Sequence, residues 1–433
     1  LTLQDRREFA ERCERCNSCR WVPAATSARH ASTCPSVDYG KFHSYGGAGK
    51  SMIAYALAEG RQVTATEELT RSIFACSACG ACDTACKWNH QDLVDPLDTI
   101  YALRQKMVED GKAPDVHSQA MQSVRAHGNR FGKAASERFA WAKGMELPDA
   151  RSQQCETLLH IGCENAFDDA LHEELRAAVR LLRAGGVSFG VLYDDEVDCG
   201  GYAFDIGQQK EAARSAQALA NAIKATGAKR LVTCSAASFS SIRNIWPRLG
   251  VSLEGFEVQH FSQCADDLRD GGLLSKGLSA RSGAVAYHDG CRLGRLSEAY
   301  TAWSGKRVKH NQVEHFDPPR KVLFGNDGVY DPPRRLIAAT GADLAEMPRS
   351  RQFAYCCGAL GGGKEAYPDF ARHAAVEVLQ EAIDSGAQTL VSGCGACTAH
   401  LRAIADQENL GISVEGLASF ISEGTEGQAE VSK

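Results

Sequence analysis

Cys76-Ser77-Ala78-Cys79-Gly80-Ala81-Cys82-Asp83-Thr84-Ala85-Cys86 sets four thiols at the spacing CxxCxxCxxxC. An iron–sulfur cubane presents its iron corners close together, so a tight turn with a thiolate at every third residue can wrap three of them. The fourth ligand then comes from elsewhere. A second run, Cys13-Glu14-Arg15-Cys16-Asn17-Ser18-Cys19, repeats the triplet, and Cys34 follows it directly before Pro35. Where two such runs hold two clusters, the fourth cysteine of each serves the other. The spacing therefore assigns Cys13, Cys16, Cys19 and Cys86 to one 4Fe–4S cubane. Cys76, Cys79, Cys82 and Cys34 go to a second. A zinc site would want four thiolates from two CxxC pairs, and two triplets plus two single cysteines do not read that way.

This is the ligand spacing of bacterial-type ferredoxins, with two departures. Fourteen residues separate Cys19 from Cys34 where that pattern has three, and Lys87 rather than Pro follows Cys86. The first departure makes Cys34 the weakest of the eight assignments. Between the runs, Met52, Ile53, Tyr55, Ala56 and Leu57 predict a short helix. Beyond them Leu97, Ile100, Leu103 and Met107, spaced by three or four, predict another over 96–112. Helices around cluster-binding turns point to an α-helical two-cluster ferredoxin domain over residues 1–115. Gly49-Lys50-Ser51 imitates the end of a phosphate-binding loop, but Ser44 stands where that loop needs its first glycine and no strand precedes it. A helix start is the expected reading.

The chain as a whole agrees with metal chemistry. It has 433 residues, enough for two or three domains, and 18 cysteines, a load that in a reducing compartment signals metal or redox work. Its net charge of −6 argues against nucleic acid as a partner. No apolar run is long enough to span a bilayer, and no basic stretch leads into an apolar one as in a secretory signal. A cytoplasmic protein is expected, with any membrane association made through a partner.

After residues 116–150, read as a helical linker, short apolar runs alternate with helical stretches. Thr157–Ile161 reads as a strand leading to Cys163 and a helix to about Ala184. Val187–Tyr193 reads as a strand before Asp198-Cys199-Gly200-Gly201 and a helix to about Lys224. Leu231–Thr233 leads into Cys234 and a third helix, and a strand from Val258 ends near Cys264. The order then recurs. Ala284–Tyr287 leads to His288 and Cys291, a helix starts near Pro333, and Asp343–Met347 reads as a strand. Cys356-Cys357-Gly358 precedes a helix over Asp369–Ser385, and Thr389–Val391 runs into Cys394-Gly395-Ala396-Cys397 and a last helix. Strands alternating with helices predict parallel sheets, with the cysteines at the carboxyl ends where ligand sites collect. The repeat predicts a pseudo-twofold pair, 151–283 and 284–433. The fold class expected is thus α plus α/β.

Cys291, Cys356-Cys357-Gly358 and the CxxC of Cys394 and Cys397 resemble the CCG cysteine-rich domain. That domain occurs in heterodisulfide reductase catalytic subunits and in iron–sulfur subunits of glycolate, lactate and anaerobic glycerol-phosphate dehydrogenases. A helical two-cubane module ahead of two such halves is similar to the D-type subunits of heterodisulfide reductases and their relatives, over roughly residues 5–410. The resemblance implies that Cys291, Cys356, Cys357, Cys394 and Cys397 hold a non-cubane 4Fe–4S cluster. The first half departs from the pattern. Cys163 stands at the opening position, the CCG is Asp198-Cys199-Gly200, and the CxxC is read as Cys234-Ser235-Ala236-Ala237. Cys163, Cys199 and Cys234 could bind zinc with Asp198 or water, hold a cubane with an unusual ligand, or be vestigial buried thiols. Cys155 and Cys264 have no assigned role.

In the second half, His288-Asp289-Gly290-Cys291-Arg292-Leu293-Gly294-Arg295 is parted from Tyr330-Asp331-Pro332-Pro333-Arg334-Arg335 by residues 296–329, an insertion relative to the family. It reads as a surface excursion, or as a cap over the second-half cluster or a docking loop. His310 and His315 within it read as solvated, and His288 as a residue supporting the cluster. No nucleotide-binding fingerprint is present, so electrons must come from a partner. The resemblance implies a flavoprotein dehydrogenase or an electron-transferring flavoprotein, with a membrane quinone enzyme as one acceptor. The expected function is an electron-transfer component of an oxidoreductase. Catalytic reduction of a disulfide or heterodisulfide at the CCG site is the alternative, and a third is a zinc-stabilised structural role.

Overall fold

The computed structural model describes residues 2–90, 94–274, 278–311 and 313–422. The N-terminal part is helical, with principal helices Gly47–Ala58, Glu67–Phe74, Ala81–His90 and Pro96–Glu109. Local chemistry sets their starts. Thr66 accepts a hydrogen bond from the Leu69 N–H (3.1 Å) ahead of Glu67 and Glu68, and Pro96 occupies the first turn of its helix. Leu3, Ala54, Ile73, Phe74, Leu103 and Met107 share one core. Gly49-Lys50-Ser51 lies inside the helix Gly47–Ala58, so the phosphate-loop imitation is a helix. The linker is helical only over Asp115–His127; beyond Gly128 it carries two short 3₁₀ turns, Ala135–Glu137 and Ala140–Ala142.

Two four-stranded parallel sheets follow. The first contains β1 (Thr157–His160), β2 (Phe189–Gly190), β3 (Arg230–Thr233) and β4 (Glu257–His260) in the order β2-β1-β3-β4. The second contains β5 (Ala284–His288), β8 (Asp343–Leu344), β9 (Thr389–Ser392) and β10 (Ser413–Gly416) in the order β10-β9-β5-β8. Both sheets put their first strand and their third side by side at the centre: β1 beside β3, and β5 beside β9. The central strands are short and buried, with helices on both faces, which is how an all-parallel sheet survives. Between β5 and β8 the insertion folds as an antiparallel ribbon, β6 (Lys306–His310) with β7 (Val313–Asp317).

Some expected boundaries shift. The first helix is broken into Cys163–Phe167 and His172–Ala184, and the next into Gly201–Asp205 and Gln209–Ala225. β2 and β8 are only two residues long. The strand expected to reach Cys264 stops at His260, whose ring accepts from the Ser262 N–H (3.2 Å) and caps the helix Phe261–Asp270 that carries Cys264.

Strand register makes the internal repeat close enough to compare residue by residue. His160 pairs with Thr233 in the first sheet, and His288 pairs with Ser392 in the second. Thr233 is therefore the counterpart of Ser392. Each caps the turn that follows: Thr233 Oγ1 accepts from the Ser235 N–H (3.0 Å), and Ser392 Oγ accepts from the Cys394 N–H (3.2 Å).

Candidate iron–sulfur sites

Cys34, Cys76, Cys79 and Cys82 line one cavity with Lys50 and Leu97. The long spacing before Cys34 thus does not keep it from the other three. Pro35 starts a short helix directly after Cys34 and fixes where its side chain enters. Burial pushes the Cys34 thiol up to about 12, so its thiolate form needs a compensating cation.

One cation, Lys50, lines the cavity and two more bind the backbone of its cysteine run, none with a carboxylate partner among the described residues. Lys50 Nζ, 1 % exposed, donates to Ser36 Oγ (3.3 Å) and to the Tyr45 carbonyl. Arg104 donates to the carbonyls of Cys76 (2.6 Å), Gly361 and Asp205 (2.8 Å each). Arg295 donates from Nε to the Cys79 carbonyl (2.6 Å). Buried charges are normally paired. Four thiols around Lys50, with Arg104 and Arg295 on the backbone behind them, fit an anionic thiolate-bound cluster.

The other four thiols also gather. Cys86 lies where the charges of Cys19, Cys13 and Cys16 act on it, and Cys13, Cys19 and Cys86 share an apolar cluster with Val94 and Ile100. This group reaches the surface: Cys19 and Cys86 are buried, Cys13 is half-buried and Cys16 is exposed. His90 places Nε2 3.1 Å from Cys16 Sγ, a neighbour the motif does not reveal. Trp21 and Trp88, each 45 % exposed, flank the same region in sequence.

In the second half two pairs of thiols meet sulfur to sulfur. Cys291 Sγ is 3.9 Å from Cys356 Sγ, and Cys357 Sγ is 3.3 Å from Cys397 Sγ. Cys357, Cys394 and Cys397 share one buried cluster, and Cys356 adjoins Cys357 in the chain. All five are buried. A hydrogen bond with Cys356 holds Cys357 well below the usual thiol range, with Cys397 acting the same way. His288 brings a ring nitrogen within 4.8 Å of the Cys357 and Cys397 sulfurs, and its Nε2 is buried without a partner. These sulfurs and an orphaned nitrogen beside them fit a thiolate-bound cluster with a hydrogen-bond donor next to it. Cys79 shares one buried cluster with Cys291 and Cys356, so the two sites adjoin.

The first half is different, and the register corrects its reading. With Thr233 equivalent to Ser392, Cys234 corresponds to Gly393, not to Cys394. The counterparts of Cys394 and Cys397 are Ser235 and Ser238. Glycine contacts agree: a Cβ on Gly162 would meet Ser235 Cβ at 2.4 Å, and one on Gly290 would meet Cys394 Cβ at 3.0 Å. The first-half set is thus Cys163, Asp198, Cys199, Ser235 and Ser238, two thiols where the second half has five.

Cys234 looks into a separate cavity of about 330 Å³, lined by Glu174, His260, Asn165, Gly393 and Leu417. Among the described residues, no three of Cys163, Asp198, Cys199 and Cys234 bring ligand atoms within 4.8 Å of one another, so the zinc reading finds no ligand cluster here. Cys163 Sγ instead accepts from Arg138 Nη2 (3.3 Å), and Arg138 also reaches Glu196 (3.3 Å). Burial pushes the Cys199 thiol up to about 12, with Asp198 adding to it, and burial and Glu164 raise Asp198. Cys264 Sγ accepts from Arg230 (2.9 Å), a structural contact.

Of the insertion, Leu296, Phe324 and Val329 near its ends pack with the second-half thiols, whereas its ribbon does not. Its ribbon lies on the N-terminal helix Arg7–Glu11 and its end: Glu314 accepts from Arg12 (2.5 Å), Arg307 donates to Glu8 (2.9 Å), and its guanidinium sits 4.9 Å from the Phe9 ring centroid. His315 is exposed, as expected, and so is His310.

Two stretches, 157–242 and 324–402, match the CCG cysteine-rich domain. The second match starts after most of the insertion and so leaves out Cys291, which the fold brings back beside Cys356. The chain is 27% identical over 423 residues to the D-type subunit of the dihydromethanophenazine:CoB–CoM heterodisulfide reductase of Methanosarcina acetivorans, covering 95% of this chain and 93% of that one. It is 27% identical to the EtfAB:quinone oxidoreductase of Syntrophomonas wolfei, over 68% of this chain and 37% of that protein. To the "Probable iron-sulfur-binding oxidoreductase FadF" of Bacillus subtilis it is 26% identical, over 77% of this chain and 43% of the relative. No described helix is long and apolar enough to cross a membrane.

Proposed function

The chain belongs to the CCG-domain iron–sulfur oxidoreductases as a distant relative of the D-type heterodisulfide reductase subunits, and from that premise we propose that it is an electron relay working between a flavoprotein and a further carrier. Cys13, Cys16, Cys19 and Cys86 would hold a surface cubane, and Cys34, Cys76, Cys79 and Cys82 an inner one. Cys291, Cys356, Cys357, Cys394 and Cys397 would hold a non-cubane 4Fe–4S cluster. When bound, such clusters supply one-electron carriers whose potentials follow charge, hydrogen bonding and burial. The chain's own work is to order the thiols from exposed to buried, to keep water from the inner two sets, and to hold those sets in contact.

The single observation that carries this reading is that Cys79 shares one buried cluster with Cys291 and Cys356, thiols of the other inner set. The exposure of Cys16 gives the sequence of sites an end that a flavoprotein, either a dehydrogenase or an electron-transferring flavoprotein, can reach. A membrane quinone enzyme is a suitable second partner, as the name of the Syntrophomonas relative suggests. Disulfide catalysis using both halves is disfavoured by Ser235 and Ser238, which leave the first half without its thiolate pair. Chain prepared without oxygen should hold about twelve iron, four per site. It should take up electrons from a reduced electron-transferring flavoprotein and show no disulfide turnover with a reduced dye. About four iron with stoichiometric zinc would end the relay reading, and rapid disulfide turnover would favour the catalytic one.

A further inference from the structure

Of six buried arginines among the described residues, Arg138, Arg292, Arg334 and Arg349 each have a carboxylate (Glu196 at 3.3 Å, Asp205, Asp289 at 2.8 Å and Glu381 at 3.0 Å), and Arg104, like Arg295, is bound by backbone carbonyls instead. Arg295 has no carboxylate among the described residues. It is 1 % exposed and donates to the carbonyls of Cys79 (2.6 Å), Gln352 (3.0 Å) and Ala354 (2.7 Å), with the Cys79 thiol also close to its side chain. Its Nη2 is buried with no acceptor at all. The thiols whose charge acts on it are Cys79, Cys291 and Cys356, one from the inner cubane set and two from the CCG set. A guanidinium keeps its proton, so this charge is permanent. An unbalanced buried cation is costly, and no described carboxylate offsets it. The balancing charge must then come from the two thiolate sets between which Arg295 lies.

We propose that Arg295 is a positioning residue, the shared counter-cation of the inner cubane site and the CCG site. It makes electron addition easier at both and holds their potentials up together. The proposal rests on the reading that both sites carry clusters. It goes beyond that reading in assigning one residue to two sites at once. The physical basis is Coulombic. Each added electron gains from a fixed positive charge in a low-dielectric interior. Among the described residues, no hydrogen bond or ion pair joins Arg295 to Cys13, Cys16, Cys19 or Cys86, so the surface cubane serves as an internal reference.

The test is a redox titration of the full iron-loaded chain, followed by EPR, for wild type, Arg295→Gln and Arg295→Lys. Arg295→Gln should shift the inner cubane and CCG signals to more negative potential and leave the surface cubane signal in place. Arg295→Lys, which keeps the charge but loses the fork of donors, should recover most of the shift in both. If Gln alone loses the CCG iron while Lys keeps it, the charge is needed to assemble the site and the proposal stands. Loaded Arg295→Gln with both potentials unmoved would overturn it. So would equal shifts, or equal iron loss, in Gln and Lys, since the carbonyl ties rather than the charge would then be responsible. Wild-type chain with about eight iron would show instead that the CCG reading had failed, and the shared role would fall with it.

Discussion

The two CCG halves share the pairing of their central strands, its register and the turn that follows the third strand of each sheet, yet one gathers five thiols and the other two. At the opening position Cys163 corresponds to Cys291, with His160 and His288 three residues before them. Behind that equivalence the chemistry diverges. His288 leaves a nitrogen free beside Cys357 and Cys397. His160 lies 3.2 Å from Glu196, which also takes the Ile161 and Gly162 N–H groups and Arg138. Where the second half gathers five buried thiols, the first pairs its buried charges with one another. A fold can keep its geometry after losing a site, because strand pairing and helix packing do not depend on the ligands.

The largest expected effect breaks the working half. Cys356→Ser should lower the iron content by about four per chain and remove the non-cubane EPR signal while both cubane signals persist. Cys199→Ser, which removes the one thiol in the corresponding turn of the first half, should leave iron and spectra unchanged. Loss of all signals in Cys356→Ser would mean that the inner sites assemble as one unit. The next experiment rebuilds the silent half. Asp198→Cys, Ser235→Cys and Ser238→Cys together recreate the five-thiolate set, and reconstituted iron should rise by up to about four. Ala237→Cys, which completes the CxxC that Cys234 imitates in the sequence, should add none, because Cys234 faces the Glu174 cavity. A gain of iron from Ala237→Cys alone would overturn the register argument.

A smaller effect concerns charge. Burial works to raise the Glu196 carboxyl, but His160, Arg138 and the Ile161 N–H outweigh it and hold it at about 2. A carboxyl depressed on folding stabilises the protein above its unfolded value near 4.5, and that contribution fades as pH falls toward 2. It is worth on the order of 3 kcal/mol for a shift of this size. Glu196→Gln should therefore destabilise the chain at pH 7 and flatten its acid unfolding between about pH 5 and 2, read by urea denaturation. Equal acid sensitivity in variant and wild type would remove Glu196 as the balancing charge of the first half.

What can be read in the sequence follows from how local each signal is. Cys76, Cys79 and Cys82 declare themselves because one turn carries all three. Cys34 shows only as a leftover, since its closeness to them is tertiary. Cys234 misleads because a cysteine before Ser-Ala-Ala imitates a worn CxxC. A one-residue offset shows only in strand pairing, where Thr233 meets His160. The ribbon of β6 and β7 is hidden because both its faces are largely exposed, so no apolar alternation marks it. Arg295 stands in the HDGCRLGR stretch, but nothing local says that its charge goes unpaired. The end of β4 escapes notice because a histidine ring, not a hydroxyl or carboxylate, caps the helix after it.

The smallest effect sharpens what the halves still have in common. Gly200 and Gly358 each follow the second position of the CCG, with φ of +81° and +85°. Each faces the fourth residue of the long helix that follows. A Cβ on Gly200 would meet the Ala212 carbonyl oxygen at 2.4 Å, and one on Gly358 would meet Ala371 Cα at 2.9 Å. Both the left-handed backbone and the contact penalise alanine, by about 1–3 kcal/mol at each site. Gly200→Ala and Gly358→Ala should accordingly lower stability to a similar extent in urea unfolding. Their effects on iron should differ: Gly358→Ala disturbs the turn that aims Cys356 and Cys357, whereas Gly200→Ala disturbs a turn with no set of five thiols to aim. Equal destabilisation with unequal iron loss would show that the backbone geometry of the turn has outlasted the site it once served. A silent Gly200→Ala would mean that the first half has relaxed its fold as well as its chemistry.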